Sequence, residues 1–392
     1  VTLQLVAAIP IGFEQVVARE IRALGGGIGK TSSRAGRIFF EGPADAIYRA
    51  NLRLRTAERV LVQVGEFSAR SMLRWGVYAA EIPWEDWIPS GSEVGIHLST
   101  RACRLFHSGA LHDQLMEAIA KRGVTGCSPA GKESAGGSPR LAVDVRGTAD
   151  RFVLSVDTSG AGLHRRGYRK ETTKAPLRET IAAALLQRID WSPAQPLLDP
   201  MCGSGTFVIE AGWLAQRRDP GLERSFAFEQ FPCFDGPRWS ELLEQSRSKM
   251  VADAGGVQFE AADRQSGAVR ATRNNLQRAG MPRQVRVDQR AFEELRPDGG
   301  RGLIVLNPPY GHRLREDAGE GHRRQEDGGS DAVMDTWSSW GATVRDRRPG
   351  WDVLLLAPSR EHASAFGASG KPRARFRNGG LPISAWHLRG GR

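Results

Sequence analysis

Three short stretches carry residue types whose spacing could do chemistry. In the first, Leu197-Leu198-Asp199-Pro200-Met201-Cys202-Gly203-Ser204-Gly205-Thr206, an apolar run ends in an acid and passes through two glycines into a helix beginning near Thr206. Glycines can take positive φ and leave room for a ligand to reach backbone N–H groups. A carboxylate at Asp199 could accept from a cationic amine or orient the turn. The string lacks the third glycine of a G-x-G-x-x-G dinucleotide loop and the Gly-Lys-Ser/Thr of a phosphate loop. The second stretch, Val257-Gln258-Phe259-Glu260-Ala261-Ala262-Asp263, is another strand ending in an acid. Asp263 suits a grip on ribose hydroxyls, or simply the cap of the helix that follows.

The third stretch, Leu303-Ile304-Val305-Leu306-Asn307-Pro308-Pro309-Tyr310-Gly311, is the sharpest signal. An exocyclic amine on a base is a poor nucleophile because its lone pair is delocalised into the ring. An Asn307 side-chain oxygen and the Pro308 carbonyl could accept the two amine hydrogens, with the prolines holding those acceptors in place. Tyr310 offers a face on which a flipped base could stack. Attack on a sulfonium methyl then depends mainly on positioning and needs neither a metal nor a covalent nucleophile. Together the stretches read as the cofactor strand and the target-base strand of an S-adenosylmethionine-dependent methyltransferase.

Such residues need an open α/β sheet, in which ligands sit beyond the carboxyl ends of the strands. Strands predicted at 197–198, 257–262, 284–287, 303–306 and 352–356 alternate with helices at 206–217, 238–251, 265–279 and 331–346, the pattern of a doubly wound parallel sheet. A helix over 176–188 is expected to open with Pro176 in its first turn, and the tail (373–376, 382–388) reads as a terminal hairpin. Upstream, residues 1–55 have the β-α-β-α rhythm of a ferredoxin-like unit. Strands at 59–64, 93–99, 141–145 and 152–156 with helices at 71–80 and 109–121 follow, and Trp84 and Trp87 read as core. Residues 128–139 show no periodic apolar positions and read as a loop.

At 392 residues, 40% apolar and 25% charged, the chain has the composition of a soluble globular protein of two or three domains. Its apolar opening, Val1–Pro10, is too short to span a bilayer and lacks the features of a signal peptide, so a cytoplasmic location is expected. The four cysteines have no C-x-x-C pair, which argues against a disulfide framework or a structural zinc. Lys and Arg number 55 against 44 Asp and Glu, a net +11 that favours a polyanionic partner such as RNA, although only seven of the cations are Lys and coding bias accounts for part of the pattern. The densest run is the link 165–174, with Arg165, Arg166, Arg169, Lys170 and Lys174 against Glu171.

Gly162-Leu163-His164-Arg165-Arg166-Gly167-Tyr168-Arg169, Ala175-Pro176-Leu177-Arg178-Glu179-Thr180, Asp199–Phe207 and Asn307–Gly311 together resemble the THUMP-domain class I RNA methyltransferases that modify guanine N2. The resemblance covers nearly the whole chain, and the methyltransferase half of the bacterial enzymes that make N2-methylguanosine in large-subunit rRNA is the nearest look-alike. It implies a ferredoxin-like preface (1–55), a THUMP RNA-binding module (56–158), a basic linker (159–174) and a methyltransferase domain (175–392). It also implies that Asp199, Met201, Gly203, Gly205, Thr206 and Asp263, with Pro176 and Thr180, hold S-adenosylmethionine, and that Asn307, Pro308 and Tyr310 hold the base. RNA contacts are expected from the link residues Arg165, Arg166, Arg169 and Lys170 and from Arg101, Arg104 and His107, the last three reading equally well as a solvated face. Two features depart from the family pattern. Where an acid usually meets the adenine amine this chain has Arg290-Ala291, leaving a backbone group or Asp288, and residues 313–329 form a longer polar stretch than expected. The same chemistry on tRNA, amine methylation of adenine, and a non-catalytic RNA-binding assembly factor are the alternative readings.

Overall fold

Strand β4 (Arg59–Ser68) pairs antiparallel with β1 (Thr2–Ala8) on one side and with β8 (Arg151–Asp157) on the other. It therefore joins what the sequence suggests as two small modules into one eight-stranded sheet. With β2 (Thr31–Arg34), β3 (Arg37–Pro43), β5 (Glu93–Arg101), β6 (Ser128–Pro129) and β7 (Leu141–Thr148), the order is β2-β3-β1-β4-β8-β7-β5-β6. β2 is too polar, at Thr-Ser-Ser-Arg, to announce itself as a strand; it forms by pairing with β3. This is a computed structural model, which describes residues 2–34, 36–129, 141–172, 176–251, 258–281, 283–296, 300–309 and 329–391.

The chain forms two units, one of residues 1–9, 17–164 and 219–248, the other of 10–16, 165–218 and 249–392. Helix α1 (Glu14–Ala23) follows β1, and in the first unit helices α2 (Ala46–Arg53), α3 (Met72–Ala80) and α4 (Ser108–Lys121) accompany the eight-stranded sheet. Trp84 is fully buried, with its indole N–H donating to the Ala79 carbonyl at 2.8 Å. The helix expected over 238–251 forms at Gly236–Ser248 (α7) but serves this first unit rather than the parallel sheet. Trp239 stacks edge-on against Tyr48 and Phe228, and Arg238 pairs with Asp45 at 2.8 Å.

The second unit holds a seven-stranded sheet built from β9 (Leu197–Asp199), β10 (Phe259–Asp263), β11 (Val285–Gln289), β12 (Leu303–Leu306), β13 (Asp352–Ala357), β14 (Ala374–Asn378) and β15 (Leu381–Leu388). Its order is β11-β10-β9-β12-β13-β15-β14; the first five strands are parallel, and β15 and β14 close one side as the antiparallel hairpin expected from the tail. Strand periodicity sends Leu303 and Val305 into one core with Leu197, Phe207 and Ile181, and Ile304 and Leu306 into the other with Leu198, Trp337 and Trp340. Each such side chain contributes roughly 1.5–3 kcal/mol by leaving water. Helices α5 (Glu179–Arg188), α6 (Thr206–Ala215), α8 (Ser266–Arg278), α9 (Gly329–Arg347) and α10 (Arg360–Phe366) belong to this unit. No helix among the described residues is long and apolar enough to cross a membrane.

Candidate active site

Register brings the three sequence stretches to one end of the parallel sheet. β9 lies between β10 and β12, with Asp199 opposite Ala261 and Leu198 opposite Ile304. Asp263, the turn after Asp199, and Asn307 therefore leave three consecutive strands on the same side, where the strand order reverses and α/β folds bind ligands.

The Asp199–Thr206 turn is built by backbone hydrogen bonds. Met201 N–H donates to Asp199 Oδ1 at 3.3 Å, Cys202 N–H to the Ala262 carbonyl at 2.9 Å, and Gly203 N–H to Asp263 Oδ2 at 3.0 Å. Gly203 and Gly205 take φ of 54° and 81°, and a Cβ on Gly205 would lie 2.9 Å from Thr272 Cγ2. Asp263 Oδ1 also accepts from Gln265 N–H at 3.0 Å, so this acid both turns its own strand end and fastens the neighbouring one. Asp199 is 2% exposed, and burial pushes its carboxyl up to about 8, with the nearby Asp263 charge adding to the rise and the Met201 amide opposing it. Burial also pushes the Cys202 thiol up, in keeping with a packing role.

Met201, Gly203, Asp263 and Asn307 keep partial exposure at the rim, whereas Thr206 is buried and Asp199 lies beneath the turn. Asn307 directly follows β12, all four of whose residues are buried, and Pro308 is buried behind it. Tyr310 and residues 313–328 lie outside the described residues. Asp288 is held by Arg286 at 2.8 Å, and that guanidinium keeps its carboxyl below the usual range.

Several expectations need correction. Pro176 is not in the first turn of α5, which begins at Glu179 after an extended Arg178. Thr180 is completely buried, and its hydroxyl has no hydrogen-bond partner among the described residues. Arg166 is 2% exposed and sits 3.5 Å from the equally buried Glu210, which also accepts from Tyr168 Oη at 3.1 Å. Without exposed surface the Arg166 guanidinium cannot meet an RNA phosphate, and it serves the interior. Arg169 likewise pairs with Glu179 at 2.8 Å and donates to the Leu177 carbonyl at 2.6 Å. That braces the approach to α5. Burial pushes the Glu179 carboxyl up to about 7, against the pull of Arg169. Arg165 and Lys170 are exposed, as are Arg101, Arg104 and His107.

Two residues that hold the turn were not singled out from the sequence. Thr272 donates its hydroxyl to the Gly203 carbonyl at 3.0 Å, and Asn275 donates to the Ser204 and Glu171 carbonyls, both at 3.0 Å. Three residues apart, they lie on one face of α8. Both are wholly buried, and polar side chains at helical spacing with the apolar Val269 and Leu276 were the available signal. Among the described residues no group of three His, Cys, Asp or Glu side chains could hold a metal ion.

Five parallel strands with an antiparallel pair at one side, an acid-glycine turn after the central strand and Asn-Pro-Pro after its neighbour, define a class I methyltransferase. Residues 166–323 match the family model described as RMKL-like, methyltransferase domain, and residues 4–61 match that of the RlmL ferredoxin-like domain. The chain belongs to this RMKL-like methyltransferase family. It is 31% identical over 375 residues to the putative RNA methyltransferase YpsC of Bacillus subtilis, covering 96% of this chain and 93% of that one. It is 32% identical to the ribosomal RNA large subunit methyltransferase K/L of Syntrophotalea carbinolica, covering 97% of this chain but 52% of that one, so it spans about half the length of that relative. The crystal structure of SMU.472, a putative methyltransferase complexed with SAH, superposes with a TM-score of 0.84 at 27% identity, covering 100% of this chain and 99% of that one.

Proposed function

We propose that this protein transfers a methyl group from S-adenosylmethionine to the exocyclic N2 of a guanosine in RNA, with large-subunit rRNA as the first candidate and tRNA as the second. The observation that carries the reading is the emergence of Asn307-Pro308 from β12 directly beside the Asp199–Thr206 turn of β9. The donor set fits the cofactor. Burial raises the Asp199 carboxyl to about 8, so it can give up its proton to ionise against a bound cationic group, and the partly exposed carboxylate of Asp263 offers acceptor oxygens to hydroxyls. S-adenosylmethionine supplies the electrophilic methyl. The protein positions it with Asp199, Met201, Gly203 and Asp263, while Asn307 and the Pro308 carbonyl accept the amine hydrogens and turn its lone pair toward the sulfonium.

The relatives named for RNA and rRNA methylation support an RNA substrate, and the net charge of +11 suits a polyanion. Within this reading residues 56–158 are a THUMP RNA-binding module, and the exposed Arg165 and Lys170 contact backbone phosphates. Replacing Asn307 with Ala is expected to abolish turnover and leave cofactor binding within about twofold, since positioning rather than cofactor affinity is lost. Full activity in that variant would sink the assignment. Mass-spectrometric nucleoside mapping of rRNA and tRNA, with and without the protein, decides between the two substrates and between guanine and adenine.

A further inference from the structure

Three segments of the first unit are stitched together at one turn. Ala149 N–H donates to the Arg101 carbonyl at 3.1 Å, Arg104 N–H to Asp150 Oδ1 at 2.7 Å, and Ala69 N–H to the Asp150 carbonyl at 3.0 Å. Asp150 Oδ2 also lies 3.2 Å from Arg70 Nε and 4.0 Å from Arg104 Nε. Of the five non-glycine residues with positive φ among the described residues, three are here: Ala102, Ala149 and Asp150. Ala149 and Asp150 take it as the two-residue turn between β7 and β8, where both central residues need positive φ, and Ala102 takes it in the segment bonded to that turn.

The stitched loop presents an unusual group to solvent. Phe106 is 60% exposed, its ring 4.2 Å from that of His107 with the planes 34° apart. Around it, the Arg70 and Arg104 side chains are 71% and 69% exposed and Arg101 is exposed, while Asp150, which pairs with Arg70 and Arg104, is 14% exposed. An aromatic face held on a rigid loop among excess guanidinium groups matches the needs of an unpaired nucleotide, which takes stacking on its base and cations on its phosphates. Arg104 and Arg70 make only surface pairs with Asp150, worth little in water, so their remaining donors are cheaply redirected to phosphate.

We propose that Phe106, backed by His107, is a stacking platform for an unpaired base of the RNA substrate, with Arg70, Arg101 and Arg104 holding the flanking phosphates. The proposal rests on RNA being the substrate and adds a docking point on the first unit.

The test uses the full chain and a short unstructured RNA carrying 2-aminopurine, with S-adenosylmethionine affinity measured in parallel. Binding should quench the fluorescence. Phe106→Ala should remove the quench and weaken binding at least about tenfold, and Phe106→Trp should restore both. Arg104→Gln should reduce the salt dependence of binding by about one phosphate contact, whereas Phe106→Ala should leave that slope unchanged. Photocrosslinks from the RNA should map to the 101–107 loop. Unchanged affinity in Phe106→Ala, with methylation of RNA intact, overturns the platform and leaves the proposed function standing. A chain that binds S-adenosylmethionine but no RNA overturns both.

Discussion

The Gly203 amide donates to Asp263 Oδ2 at 3.0 Å, so the acid at the end of β10 fastens the glycine turn at the end of β9. One residue thus shapes the cofactor turn and offers acceptors to a ligand beside it. Asp263→Ala should weaken S-adenosylmethionine binding by roughly tenfold or more, the size expected for a lost hydrogen bond to a charged group. Asp263→Asn should fall between. Calorimetric titration checks both, and an unchanged affinity in the Ala variant would remove Asp263 from the site.

Asp199 predicts a proton-linked affinity. With its carboxyl at about 8 when folded and 3.8 ordinarily, the folded chain holds a proton that the unfolded chain has released between those values. Its contribution to stability is therefore fully present below about 3.8 and is lost as pH rises through about 8. A bound cation reverses the preference and expels the proton. Affinity for S-adenosylmethionine should accordingly rise from about pH 6 to about pH 8, with proton release visible as a dependence of the binding heat on buffer ionisation. Asp199→Asn should abolish the pH dependence.

Arg166 and Glu210 predict a loss of stability, not of RNA binding. Glu210→Ala removes the buried carboxylate 3.5 Å from the Arg166 guanidinium and should destabilise the second unit by about 3–5 kcal/mol, while Arg166→Met with Glu210→Leu should recover most of it. Scanning calorimetry measures the difference. The double variant should keep the salt dependence of RNA binding, whereas Arg165→Ala or Lys170→Ala should each lower its slope by about 1.

Gly205→Ala tests the turn itself. A φ of 81° costs a non-glycine residue roughly 1–2 kcal/mol, and the new methyl would also press on Thr272. Its melting temperature should fall by several degrees. Adding Thr272→Ala relieves the contact but not the φ, so a complete rescue would contradict the conformational argument.

The parts of the fold legible in the sequence were those with strong local signals. Apolar runs ending in Asp199, Asp263 and Asn307 are bounded by glycine or proline, and their parallel register follows from the alternation with helices. The terminal hairpin was legible for the same reason. What escaped depends on partners far along the chain. The link 165–174 is a run of cations, and nothing in such a run distinguishes Arg165, which faces water, from Arg166, whose carboxylate is Glu210 on α6. Likewise Thr31–Arg34 has no strand character until β3 lies beside it, and Trp239 gives no hint that its neighbours are Tyr48 and Phe228.

That last contact sets a timetable. Residues 219–248 complete the first unit, yet the ribosome makes them after Asp199 and all of α6. Domains generally fold in the order of their synthesis, but here the N-terminal unit stays unfinished while the central strand of the second is already outside. Tyr48 and Phe228, ring centroids 4.8 Å apart in the finished protein, must wait for one another across that interval. A pause in translation before residues 219–248 have emerged would hold back the first unit, and one after they have emerged would hold back only the second.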